Sequence, residues 1–399
     1  MTGEGKSAWG EISEANLAIL LERKGKERSR RTSMMRDFLE PAQWDEGYGA
    51  ANVIVTREMA ARFARGFGDQ NPLYYDLAYA ERSHWGRQLA PPSIIGYTET
   101  VNGATDGFPG CHAIWRGCEF EWARPLYANE PMNAATRLTD ARLTDSRFAG
   151  GKAAIQNYET RLCDLGGRFA AAFRTSWHRF ERQKASGASK YAGITPIQWT
   201  NAGLEDVWNE YRRQNRAQRR GAVPRYFDEV EVGTEIPHII KGPINLTSKL
   251  AFEFARGAGG WFVGHELALE LFEKHPALAI RNEENVPEPP VSIHWTNERC
   301  RKYLGMPGAY EAGYERLAWY TQLLMSWAGD HGALRRLEVR FLAFHWQGDA
   351  IRLYGKVTGK RVLDAEHLVD LEVSTVSHPR GELTSQGSAT VALPARTPA

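Results

Sequence analysis

The chain predicts an α+β fold made twice. Three observations carry this. In each half, helix-like segments come first and a run of strand-like segments follows, the order of a unit in which one central helix is wrapped by a curved antiparallel sheet. Phe254-Ala255-Arg256-Gly257 repeats Phe63-Ala64-Arg65-Gly66. Ile293-His294-Trp295 aligns with Leu73-Tyr74-Tyr75, and Arg340-Phe341-Leu342-Ala343-Phe344 with Glu121-Trp122-Ala123-Arg124-Pro125. Two copies of one unit in one chain make a pseudo-twofold pair. The expected organisation is a helical extension over 1–45, a first unit over 46–183, a linker over 184–224 and a second unit over 225–399, with an insert at about 261–290.

Composition excludes several classes. Lys+Arg 50 against Asp+Glu 48 leaves a net charge of +2, which gives no reason to expect nucleic acid or an anionic membrane as partner. No apolar run approaches the roughly 20 residues of a membrane span. The N-terminus, MTGEGKSAWGEI, lacks the apolar core of a secretory signal. The four cysteines, Cys111, Cys118, Cys163 and Cys300, are scattered, which fits reduced cytoplasmic thiols and speaks against a zinc site.

The elements follow in order. Glu11–Arg23 reads as a short helix, and the basic run Arg23, Lys24, Lys26, Arg28, Arg30, Arg31 as a solvated extension or a strap along a neighbouring surface. Val53-Ile54-Val55 is strand-like. Thr56 can cap a helix on which Met59, Phe63 and Phe67 recur at helical spacing until Gly66 and Gly68 end it. A polar loop, Asp69 to Tyr75, comes next, and Asp76 can cap a helix from Leu77 to His84. Pro91-Pro92 suits a helix start, with Ile94, Ile95, Thr98 and Val101 as its buried face. Strands are then expected at Gly117–Trp122, Met132–Ala141, Ala153–Asp164 and Arg168–Arg179. The arginines of Ala202–Arg220 are expected to be solvated or paired; the alternative is a docking surface for a phosphate-bearing ligand. In the second unit, Leu246-Thr247 opens a helix, Gly313–Ala328 is apolar at helical spacing, and strands return at Arg335–Ala343, Ala350–Val357, His367–Val376 and Leu383–Leu393.

GDQNPLYYDLAYA, WGRQLAPPS and FEWARPLYANEPM resemble the MaoC-like dehydratases, which include the (R)-specific 2-enoyl-CoA hydratases. The first half is most similar to their fatty-acid-synthase-type N-terminal hot dog. The second, through SIHWTNERCRKYLGMPGAYEAG and RLEVRFLAFHWQGD, is similar to the catalytic MaoC half. The resemblance implies a tandem hot-dog fold, each copy with a long central helix in a curved antiparallel sheet. It also implies reversible addition of water to a 2-enoyl thioester on coenzyme A or an acyl carrier protein, with no metal or redox cofactor. Homo-oligomerisation or a MaoC-like partner subunit would be in keeping with it. The family's Asp/His pair falls on the interhelical loop. Its acid matches Asp69 and its histidine Tyr74 in the first copy; in the second, the histidine is His294 and the acid's place falls near Gly260-Trp261. Each copy therefore holds half of the pair.

Hydration of an enoyl thioester needs a base for water, an acid for C2, and donors for the charge on the thioester oxygen. His294, Asp69 and Glu288 are the expected catalytic residues, with Glu288, Glu283 or Glu284 replacing the absent acid or merely solvating the insert. Asn71, Tyr74, Trp295, Gly308 and Gly313 are the expected substrate-binding positions, the last two at the start of the apolar helix. Asp69 and Asn71 also suit a tight turn held by their own side chains. Tyr74, with a pKa of about 10, can donate a hydrogen bond but is a poor base. Asp330-His331 reads as a turn, and Trp295, Trp319, Trp327 and Trp346 as core or the lining of an acyl tunnel. The alternative function is a catalytically inactive acyl-CoA-binding or scaffold subunit.

Overall fold

The computed structural model describes residues 10–28, 51–99, 101–104, 106–181, 191, 193–256, 264–274 and 276–396. Gly260-Trp261, where the second loop's acid was expected, and Arg30 and Arg31 lie outside the described residues.

Ser13 caps α1 (Glu14–Leu21), and Leu20 is buried with Ile12 and Phe108. Arg23 and Arg28 both reach buried Asp106, at 2.7 and 3.0 Å. Arg28 also pairs its backbone with Thr136. This end of the basic run is a strap held to the first unit by charge.

Strand β1 (Ala51–Ile54) leads into α2 (Arg57–Gly66), which Thr56 caps by accepting from the Met59 N–H at 3.1 Å. A 3-10 turn (Pro72–Tyr74) and α3 (Leu77–Arg82) follow. The next segment departs from expectation. No long helix follows Pro91-Pro92; Pro92–Thr98 is a seven-residue 3-10 segment. Ile94 and Ile95 are buried there, as their spacing required. Gly103, Gly107 and Gly110 come too soon for a longer helix, since each glycine costs about 1 kcal/mol in a helix interior. Strands β2 (His112–Trp122), β3 (Pro131–Ser146), β4 (Gly151–Asp164) and β5 (Phe169–Phe180) complete the first half.

Helix α4 (Asn201–Arg213) runs along β6 (Glu235–Lys241), with the Tyr211 hydroxyl donating to the Gly242 carbonyl at 2.7 Å. Several arginines here are paired: Arg212 with Glu205, Arg213 with Glu210, Arg220 with Glu229. Helix α5 (Leu246–Ala255) corresponds to α2. Helix α6 (His265–Lys274), the two-residue strands β7 (Ile280–Arg281) and β8 (Pro287–Glu288), a 3-10 turn (Pro290–His294) and α7 (Asn297–Leu304) lead to α8 (Gly313–Ala328). Strands β9 (Ala333–Phe341), β10 (Ala350–Leu363), β11 (Glu366–His378) and β12 (Leu383–Ala392) close the second half.

All strands except β7 and β8 join one ten-stranded sheet, in the order β1-β3-β4-β5-β2-β9-β12-β11-β10-β6. The halves meet where β2 pairs antiparallel with β9, Glu119 facing Glu338. Arg336 touches both carboxylates, at 3.2 and 2.6 Å, and Arg174 adds a second contact to Glu119 at 3.0 Å. The core lies against α8, where Leu317, Ala318, Tyr320 and Leu324 have no exposed surface. Full burial of each large apolar side chain contributes about 1.5–3 kcal/mol.

Helices α2 and α5 pack at the approximate twofold axis. Phe63 lies 5.8 Å from Phe252, and Gly66 presses on α5 so closely that a Cβ there would overlap that of Ala255. Gly66→Ala should therefore destabilise the fold by about 1–3 kcal/mol, although alanine is the better helix former. Urea unfolding measures this; a more stable variant would show that the helices can part freely.

Candidate active site

The first half's loop is closed by its own side chains and by the second half. Gly68 has a φ of +76°, a backbone that glycine adopts without strain. Asp69 Oδ1 then accepts from the Asn71 N–H at 2.9 Å, and Asn71 Oδ1 from the Leu73 N–H at 3.1 Å. Arg219 adds a bond to Asn71 Oδ1 at 3.2 Å. Lys241 on β6 donates to the Phe67 carbonyl at 2.6 Å, and Gln322 on α8 to the Gly68 carbonyl at 3.2 Å. Asp69, Asn71 and Tyr74 are buried. Burial raises the Asp69 pKa against the pull of the Asn71 N–H, Lys241 and Arg219. Burial likewise lowers Lys241 to about 8, with Asp69 and Glu315 opposing. The Tyr74 phenol is pushed well above its ordinary value by burial and by the charges of Asp69 and Asp330. Here the acid and the amide shape a turn, and the tyrosine fills the space beneath it.

Asp330, just past the end of α8, accepts from the Tyr79 hydroxyl, and its carbonyl from the Trp85 indole at 2.6 Å. It joins that turn to the first half.

In the second half, His294 ends its 3-10 turn. Its carbonyl accepts from Lys249 Nζ, which also reaches Gln347 Oε1 at 2.8 Å. The imidazole stands edge-on to the Tyr310 ring, centroids 4.5 Å apart at 88°. Nδ1 is shielded from solvent and has no hydrogen-bond partner. Burial, then Lys249, lower the His294 pKa to about 4, with Glu311 opposing. The ring is therefore neutral at pH 7. Beyond Tyr310, the N-cap of α8 is Ala312, which supplies no side-chain hydrogen bond to the first turn. Its N–H groups carry the positive end of the helix dipole.

The insert's acids do not serve this imidazole. Glu283 accepts from Arg299 with Oε2 at 2.6 and 3.0 Å and with Oε1 at 3.2 Å, and Glu288 pairs with Arg299 and accepts from Asn282 at 3.2 Å. The hydrogen bond from Arg299 is the main reason that Glu283 falls to about 2. Arg299 is the first cation within their reach, so it takes the charge that sequence proximity had assigned to His294. Trp295 lies near the same guanidinium, 5.9 Å from ring centre to Cζ. At Gly308 the chain turns against Asn297, whose Oδ1 accepts from the Ala309 N–H at 2.9 Å. Gly313 lies against Phe341 and Trp115, so a Cβ there would meet them at 3.2 and 3.3 Å.

One group of residues was not anticipated from the sequence. Glu311 Oε1 accepts from Arg316 Nε at 3.0 Å and Nη2 at 2.6 Å, and lies 3.2 Å from His345 Nδ1. His345 Nε2 contacts Thr384 Oγ1 at 2.6 Å, and Arg316 also donates to the Ala343 and Thr384 carbonyls at 3.1 and 2.9 Å. Burial alone would raise Glu311, but Arg316 and His345 overcome it and hold the carboxyl at about 2. Burial, then Arg316, lower His345 to about 4. Arg316 follows Glu311 by five residues, but His345 stands beyond β9, so no local motif announces the whole group. Comparing the two halves position by position would have found them.

The neutral His345 makes stability pH-dependent. Unfolded, an imidazole takes its proton near pH 6.5; folded, this one does so near 4. The unfolded state therefore binds more protons between these values, and stability is lost as pH falls through them. His345→Leu should reduce the stability difference between pH 7 and pH 5 by about 1–2 kcal/mol, as read by urea unfolding at both values. An unchanged difference would show that this ring is not the group responsible.

Residues 45–171 match the FAS1-like, dehydratase domain region. A UPF0336 protein of Thermobifida fusca (strain YX) is 28% identical over 94 residues, which is 22% of this chain; the match spans 62% of that relative. A solved MaoC-like dehydratase superposes with a TM-score of 0.59 at 17% identity, covering 94% of this chain and 99% of its own. A putative MaoC domain protein dehydratase of Chloroflexus aurantiacus J-10-fl gives 0.53 at 10% identity, covering 87% and 94%. A Mycobacterium tuberculosis protein described as having a double hotdog fold gives 0.50 at 11% identity, covering 86% and 94%. No helix among the described residues is long and apolar enough to cross a membrane. The chain thus has the double hot-dog fold, and residues 45–171 of it match the FAS1-like dehydratase domain region.

Proposed function

We propose that this protein is an acyl-thioester hydratase/dehydratase working at His294, adding water to a 2-enoyl thioester or removing it from the 3-hydroxyacyl product. The observation that carries the reading is the neutral imidazole of His294, its Nδ1 without a hydrogen-bond partner, packed on Tyr310 two residues before the uncapped start of α8. The imidazole takes a proton from water as the water oxygen bonds to C3. The C2–C3 π electrons move towards the thioester, whose oxygen is held by the N–H groups of the first helical turn. The imidazolium then returns the proton to C2. A single group can run this cycle in both directions, so the missing loop acid does not forbid it. The reaction needs no metal or redox cofactor; coenzyme A or an acyl carrier protein is the substrate's handle.

The second reading, an inactive acyl-thioester-binding subunit, draws on the lack, among the described residues, of a carboxylate in hydrogen-bond contact with the His294 ring. Purified protein assayed with crotonyl-CoA and a bulkier enoyl-CoA separates the two. Turnover by the wild type is expected. Tight thioester binding with no turnover would give the second reading the site.

A further inference from the structure

Each half of this molecule is a control for the other. Glu119 faces Glu338 where the two central strands meet. The bridge between Leu89 and Tyr127 has its counterpart in Tyr310 and Trp346. The bond from the Ala90 N–H to the Leu126 carbonyl, at 2.8 Å, has its counterpart from the Glu311 N–H to the His345 carbonyl, at 3.1 Å. These pairs equate Ala90 with Glu311 and Leu126 with His345; five residues on from Ala90, as Arg316 is from Glu311, stands Ile95. The first-half residues are all apolar and buried, so the fold is satisfied at this place by a hydrocarbon cluster. The second half buries a carboxylate, a guanidinium and an imidazole there, with 2%, 2% and 0% exposure. Removing three such groups from water is costly, and apolar replacements for a buried ion cluster are often neutral or stabilising. Neither the fold nor its stability calls for the charges.

We infer that Glu311 is the positioning carboxylate of His294, replacing the loop acid from the approach to α8. The inference rests on reading His294 as the proton-transfer group. Glu311 directly follows Tyr310, whose ring carries the His294 imidazole. Two nitrogens of Arg316 hydrogen-bond a single oxygen of it, and His345 Nδ1 lies 3.2 Å from the same oxygen. Its charge favours the imidazolium that forms when His294 takes a proton from water, and opposes Lys249. The other charged groups that act on it are Arg316 and Glu315 on α8, Lys249 on α5, and His345. Of these, Arg316 and His345 hold Glu311 in place, and the rest remain in the variant below.

The test transplants the first half's residues into the second: Glu311→Ala, Arg316→Ile and His345→Leu together. The first half packs this set on a 3-10 segment where the second half has α8, so circular dichroism and thermal unfolding are used to establish that the variant keeps its fold. Its kcat on crotonyl-CoA should fall by about 30-fold with KM little changed, less than the roughly 10²–10⁴-fold worth of the acid–base group itself, because His294 remains. The acid limb of the kcat profile should move to lower pH, because His294 loses the anion that raises its pKa. Glu311→Gln should share that shift, and Glu311→Asp should recover part of the rate. Wild-type kcat and pH profile in a folded triple variant would overturn the inference. His294→Ala run alongside separates the two readings: if it is inactive while the triple variant is fully active, only the role of Glu311 fails. A direct readout is independent of turnover. The His294 imidazole titrated by NMR should fall by about one pH unit in the triple variant; an unmoved titration overturns the inference whatever the enzyme does.

Discussion

His294→Ala is expected to lower kcat/KM for crotonyl-CoA by about 10²–10⁴-fold, the usual worth of a positioned acid–base group. The ring contributes little to the fold beyond its contact with Tyr310, and the carbonyl that Lys249 holds belongs to the backbone. The variant should therefore unfold within a few degrees of the wild type. Tyr74→Phe in the first loop is the matched control. It removes the hydroxyl at the equivalent position, and activity should change by less than about threefold, since that phenol is sealed and stays protonated. If the two variants lose activity equally, or if His294→Ala loses none, chemistry does not reside at His294.

The largest expected stability effect comes from Arg316→Leu alone. The guanidinium is buried and its partner carboxylate is 1% exposed. Removing one member leaves Glu311 buried with only His345 beside it, a loss of about 3–5 kcal/mol by denaturant unfolding. The contrast with the triple apolar variant is the informative part. Near-wild-type stability in the triple variant and a large loss in the single one would separate the cost of an unpaired charge from any general need for polarity. Equal stability would mean that water or a rearranged lysine takes the place of Arg316.

Much of the fold was legible because its signals are local. The repeated Phe-Ala-Arg-Gly segments marked two helices that both exist, α2 and α5, but two residues out of register: Phe63 is the seventh residue of α2 and buried, Phe254 the ninth of α5 and exposed, and Phe252 is the buried counterpart. The apolar spacing over Gly313–Ala328 gave α8 its full length. Thr56 and Asp76 cap the helices they precede. Other features depended on contacts that no window of sequence contains. The first half's central helix is missing because glycines interrupt it just after Thr98, a signal that Ile94 and Ile95 masked by being buried in either conformation. The insert's acids looked like partners for His294 because they precede it closely, yet Arg299 on the following helix claims them. The ion cluster joins Glu311, Arg316 and His345 across a helix and the turn beyond β9, so its members read singly as ordinary surface charges.

The unbroken ladder across β2 and β9 has a consequence for how this molecule can be divided. A cut between the halves would strip hydrogen-bond partners from two interior strands at once and leave two sticky edges in water. Neither piece is a self-sufficient module. Fusion keeps both edges permanently matched, and that leaves one half free to act as scaffold while the other specialises in chemistry.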